Sequence, residues 1–243
     1  ADEGHVDIYP NVQGGQIQIG GFDFDENSVE FSSGGKAFGA EFGEDDPAQP
    51  FYGEDPGMAS GSGALGTGLS DGSAVSFNVL GALTYWDGTG LPSFGVAPSG
   101  ESLFIERGSL NMIVSGASGF QTGFVWDTVD TFASNEVHGH LSFFLLGSDM
   151  NPVPAGSGLW GSGDGIEPAA GVYFLPLQLT TDQGGIAASD PFYVVFNAGL
   201  DEELHDQAVD FAASAVPTPE PLTAGLVGLG AMALLGGLRR RRA

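Results

Sequence analysis

Apolar and polar residues alternate with a period of two along most of the chain, in short runs. In "GQIQIGGFDF", Ile17 and Ile19 alternate with Gln16 and Gln18, then Phe22 and Phe24 with Asp23 and Asp25, and Gly20-Gly21 marks a bend or bulge between the halves. The runs "SVEF", "KAFGAEF", "AVSFNVLGALTYW", "SLFIERGSLNMIVSG", "TGFVWD", "EVHGHLSFFLLG", "GVYFLPLQLTT" and "PFYVVFNAG" read the same way. Successive side chains of a strand point to opposite faces, so each run offers one apolar face to a core. The 18 Phe residues suit a pleated, half-buried surface, and Gly, Ser, Asp and Pro separate the runs as turn formers. This pattern predicts a mainly β domain over residues 1–213, an antiparallel β-sandwich or jelly roll.

Two stretches depart from the period. Residues 43–72, "GEDDPAQPFYGEDPGMASGSGALGTGLSDG", combine acids with Pro and Gly and predict a long surface excursion, since β-like runs resume directly afterwards. In "DEELHDQAVDFAA", residues 201–213, Leu204, Ala208, Phe211 and Ala212 share one helical face with Asp201 as N-cap, which predicts a short amphipathic helix. Residues 214–221 then form a Pro-rich stalk.

The last stretch has no period. Leu222 to Leu238 carries no charge and is followed by Arg239, Arg240, Arg241 and Arg242. As a helix it is about 25 Å long at roughly 1.5 Å per residue, near the lower limit of about 17 residues for a bilayer span. Arginines at one end fit the positive-inside bias, leaving everything before Pro217 on the non-cytoplasmic side. Residues 222–243 are therefore expected to be a transmembrane helix with a cytoplasmic basic end. Pro219-Glu220-Pro221, the Gly-rich apolar segment and the terminal Arg run together resemble the PEP-CTERM sorting signal of Gram-negative bacteria, the substrate of an exosortase. The resemblance implies exosortase and the membrane as partners, cleavage near the Pro-Glu-Pro motif, transient anchoring in the inner membrane, and delivery to the cell surface, outer membrane or extracellular matrix.

The first residues, "ADEGHVDIYP", begin without Met and lack the basic and apolar regions of a signal peptide, so the numbering is expected to start after signal cleavage. The absence of cysteine leaves an exported domain to stand on its core alone. Before the tail, residues 1–216 hold 30 acidic and two basic residues, Lys36 and Arg107, a formal charge of −28. That charge excludes nucleic acid and anionic lipid surfaces as partners and favours cations, metal ions or neutral extracellular polysaccharide.

Candidate chemistry is sparse. "GLSDG", residues 68–72, has the spacing of a nucleophile elbow but no preceding strand and no helix signal behind it. With no cysteine and no paired-carboxylate signature, the chain reads as a non-enzyme. "DFDENS" spaces Asp23, Asp25 and Asn27 as a calcium loop begins, but lacks the Gly and Glu that an EF-hand requires. A turn explains it better, and calcium is the less favoured ion.

The four histidines are more informative. His138 and His140 stand two apart in "EVHGHLSFF", so on a strand both imidazoles leave the same face and can share one ion. His5 and His205 are further candidate ligands, and neutral imidazoles suit zinc or another divalent transition metal. "VHGHLSFFLLG" followed by "GVYFLPLQLTT", with "SDPFYVVFN" and "DEELHD" beyond, resembles bacterial surface-anchored domains in which an His-x-His strand leads to a Gly-x-Tyr strand. That resemblance implies transition-metal handling. The expectation is an exported surface or matrix protein with a structural or adhesive role; divalent transition-metal binding is the alternative, and a glycan- or calcium-binding module a further one.

Overall fold

The computed structural model of the chain describes residues 6–23, 26, 28–31, 36–44, 48–61, 65–130, 136–150 and 165–215. The sorting tail and its expected membrane helix, His5 and Trp160 lie outside these residues. Among the described residues no helix is long and apolar enough to cross a membrane.

In chain order the strands are β1 (Val6–Gln13), β2 (Gln16–Asp23), β3 (Ser28–Glu30), β4 (Ala37–Glu41), β5 (Tyr52–Gly53), β6 (Met58–Ala59), β7 (Ala74–Val79) and β8 (Thr84–Trp86). They continue as β9 (Gly95–Val96), β10 (Ser102–Arg107), β11 (Leu110–Ser115), β12 (Gln121–Thr128), β13 (His138–Gly139), β14 (Ser142–Leu146), β15 (Gly171–Thr181) and β16 (Phe192–Ala198). The helix α1 (Glu202–Ala215) follows. The mainly β expectation holds, and so does the helix expected near 201–213, the one α-helix among the described residues.

The strands make three sheets. A five-stranded sheet runs β13-β6-β1-β2-β3, a four-stranded sheet β11-β10-β14-β5, and a seven-stranded sheet β12-β7-β15-β16-β4 with β8 and β9 attached to β15. β1 and β2 form a tight hairpin because Gly14 and Gly15 both take positive φ, 61° and 82°, as a two-residue turn with the right twist demands. The sheets are not wholly antiparallel, which corrects the sequence expectation. β1 pairs parallel with β6, and β4 pairs parallel with β16. Parallel neighbours need long crossovers rather than hairpins, and a run of residues carries no mark of the distant strand it will meet.

One face of each sheet lines a shared core, where Ile8, Ile17, Phe77, Leu103, Phe143, Tyr173 and Phe196 come together. The alternate residues of β15 and β16, Val172, Phe174 and Val195, face the other way and pack under Ala208 and Ala212 of α1. The second face of the five-stranded sheet carries a small cluster of Tyr9, Phe22 and Ala59. Each fully buried aromatic side chain contributes roughly 1.5–3 kcal/mol relative to exposure.

The segment 43–72 is a second correction. It holds β5 and β6, and Met58, Ala59 and Leu69 within it are buried, so it is a structural part of two sheets rather than a surface excursion. Its acids and glycines hid two short strands whose partners are remote in sequence.

Candidate metal centre

The site is built by the register of three strands. Ile8 pairs with Met58 across the parallel β1–β6 ladder, and Met58 pairs with Gly139 across the antiparallel β6–β13 ladder. Ile8 and Met58 face the shared core. Their neighbours therefore project from the other face of the sheet. Asp7 stands on that face beside Tyr9, and His138 lies opposite Ala59. One step further along the same register, Gly57 sits between Asp7 on one side and His140 on the other.

Gly57 makes the gap that the two side chains share. A Cβ there would come within 2.6 Å of His140 Cε1 and 2.8 Å of Asp7 Oδ1. The Gly57 N–H donates to Asp7 Oδ1 at 2.8 Å, while the Gly57 carbonyl accepts from the Ile8 N–H at 3.0 Å. Asp7 is fully buried, His140 half-buried and His138 exposed, so the group runs from the sheet to the surface. One ligand atom from each of Asp7, His138 and His140 falls within 4.8 Å of the other two. Tetrahedral zinc, with bonds of about 2.0–2.2 Å, holds its ligand atoms about 3.3–3.6 Å apart. The side chains therefore have to draw together by as much as about 1.5 Å to close on an ion.

The His140 imidazole has neighbours outside the triad. His140 Nδ1 lies 3.3 Å from the Glu54 carbonyl, which can accept a hydrogen bond from that nitrogen. The Asp55 carboxylate stands 3.8 Å from the same nitrogen, beyond hydrogen-bond length but near enough to attract a proton there. The rings of His138 and His140 are 5.5 Å apart, as their shared face requires. On the open side of β13, His138, Val137, Glu136, Asp127 and Asp130 line a cavity of about 410 Å3.

His138 and His140 thus come together as the sequence predicts, and the other two histidines divide. His5 lies outside the described residues. His205 is a correction: it is buried between α1 and the seven-stranded sheet, its Nε2–H donating to the Val195 carbonyl at 2.9 Å and its Nδ1 standing 3.6 Å from Glu41 Oε1. It joins helix to sheet and takes no part in the triad. Asp7 was missed because Pro10 disguises β1 as a non-strand. The usable signal was an acid set between Val6 and Ile8 in an otherwise apolar run.

The weaker motifs take ordinary roles. Asp23 Oδ1 accepts from the Glu26 N–H at 2.9 Å in the turn between β2 and β3, as turn chemistry predicts. Residues 68–72 form a turn that enters β7, not the strand-to-helix turn of a nucleophile elbow. Trp86 and Trp126 are core residues. Compared with known proteins, the chain matches no family model and no curated sequence.

Proposed function

We propose that the chain is an exported, non-enzymatic surface protein whose β-sandwich domain holds one divalent transition-metal ion through Asp7, His138 and His140. The observation that carries the reading is the row Asp7, Gly57, His140, with His138 beside it, in which the central residue has no side chain and both neighbours crowd its place. Two neutral imidazoles and one carboxylate suit zinc, and iron(II) accepts the same donors. The formal charge of −28 over residues 1–216 draws cations toward any such site. Export is supported by the likeness of the last residues to an exosortase sorting signal, with Pro219, Glu220, Pro221 and the four arginines as its parts. The role at the surface is to sequester or deliver the ion on a matrix-associated scaffold, with neutral polysaccharide as the companion that so acidic a domain tolerates.

The test is titration of zinc and of iron(II) into the metal-free full chain in detergent. His138→Ala, His140→Ala and Asp7→Asn are expected to weaken binding by roughly 100-fold each, as loss of one ligand in three implies. His205→Ala is expected to leave the affinity unchanged while lowering stability. Equally weak binding by the parent chain and the triad variants would remove the metal site and leave a purely structural or adhesive protein.

A further inference from the structure

Building on the metal-binding reading above, we propose that Asp127, clamped by Arg107, is a positioning residue that fixes β13 and with it the segment bearing both histidine ligands. β13 is two residues long and stands at the edge of its sheet, with β6 as its one strand partner among the described residues. On its open side, two side chains of β12 stand in for a further strand. Asp127 Oδ2 accepts from the His138 N–H at 2.7 Å, and Trp126 Nε1 donates to the Gly139 carbonyl at 3.1 Å.

Adjacent residues of a regular strand point to opposite faces, so one strand should not aim both at the same target. β12 does so because its pairing with β7 slips between Val125 and Asp127. An irregularity of this kind re-aims the side chains beside it.

Arg107 decides which carboxylate oxygen meets β13. Its Nη2 pairs with Asp127 Oδ1 at 3.0 Å and its Nη1 donates to the Val125 carbonyl at 3.2 Å, which leaves Oδ2 directed at His138. A partly exposed ion pair adds little to stability, yet one of the two basic residues before the tail is placed here. The carboxylate also lies flat against the strand: a Cβ at Gly139 would come within 3.1 Å of Asp127 Cγ. With both oxygens occupied, Asp127 orients the ligands without competing for the ion.

The experiment compares zinc affinity and the cobalt(II) absorption spectrum of the full chain with those of Asp127→Ala, Asp127→Asn, Arg107→Met and Arg107→Lys. Asp182→Ala serves as control, because Asp182 Oδ1 accepts from the Ala74 N–H at 2.8 Å in the same manner but holds β7 rather than β13. Asp127→Ala and Arg107→Met are expected to weaken zinc about tenfold or more, the usual cost of losing an orienting partner, and to alter the cobalt spectrum. Asp127→Asn, which keeps an accepting oxygen, and Arg107→Lys are expected to recover part of the loss and stand in should the harsher variants misfold. Asp182→Ala should change neither readout. Parent-like affinity and spectrum in folded Asp127→Ala or Arg107→Met would overturn the positioning role while leaving the metal site intact; a parent chain that binds no metal would overturn both.

Discussion

At the residue scale, the site depends on an atom that is missing. Gly57 takes no left-handed conformation, so nothing in its backbone calls for glycine; the demand comes from His140 and Asp7 closing over it. We expect Gly57→Ala to cost about 1–3 kcal/mol, the range for inserting one methyl into a filled space, with most of the strain released by displacement of the half-buried His140 ring. Zinc affinity should therefore fall by at least about tenfold while the melting temperature drops by only a few degrees. Unchanged zinc affinity in a folded Gly57→Ala protein would show that the row is not a site. The same four letters of histidine chemistry show how far a residue can be read alone. His138 and His140 declared their shared face through their spacing. Nothing in "EELHDQ" announced that His205 would be sealed against the Val195 carbonyl, because its burial comes from a sheet that α1 meets only in three dimensions.

At the element scale, a cluster of phenols joins β8 to β15. Tyr173 and Tyr85 are cross-strand partners with rings 5.0 Å apart. The Tyr173 hydroxyl donates to Glu101 Oε2 at 2.5 Å, and the Ala169 N–H donates to Glu101 Oε1 at 2.9 Å. Burial, then the hydrogen bond to Glu101 and its charge, push Tyr173 far above the usual tyrosine range. Burial also raises Tyr9, Tyr85 and Tyr193, with the charges of Asp87 and Glu101 adding at Tyr85. Folding keeps these phenols protonated, so the stability is intact below the ordinary value of 10.0 and is lost as pH rises from there toward their folded values. Lys36, lowered by burial from 10.5 despite Glu30, works in the opposite sense as a single group. Thermal unfolding from about pH 8 to about pH 12 should show the melting temperature falling above about pH 10. Tyr173→Phe should fall less steeply but start about 1–3 kcal/mol lower, since Glu101 loses a buried partner. A parallel fall in both proteins would exclude Tyr173 as a source of the pH dependence.

The elements themselves were legible where one run made one strand. "GVYFLPLQLTT" is β15 and "PFYVVFNAG" contains β16. "EVHGHLSFFLLG" failed as a unit: its first half is β13 in the five-stranded sheet and its second half β14 in the four-stranded sheet. The chain changes sheets between His140 and Ser142, and alternation continues across the change, so the pattern carries no trace of it.

At the scale of the whole molecule, an acidic β domain and an apolar, arginine-ended tail are different materials joined at a Pro-rich segment. If an exosortase processes the chain, the intact mass of protein recovered from the native cell surface should lack everything beyond the Pro219 to Pro221 region, including Arg239 to Arg242. A surface form that retains those arginines would rule out processing there.

The sequence by itself determined the class of the fold, the helix after residue 200 and the pairing of His138 with His140, because alternation, helical spacing and i to i+2 geometry are local and act over a few residues. Only the tertiary structure decided that Asp7 completes the group, that Gly57 is its floor, that Asp127 and Arg107 stand behind it and that His205 is excluded. Asp7, Gly57 and His140 meet through one parallel and one antiparallel register between strands far apart in sequence. Those registers were chosen by the burial of Ile8 and Met58 in a core to which all three sheets contribute. A choice made by the whole core at once leaves no signature in any one segment of the chain.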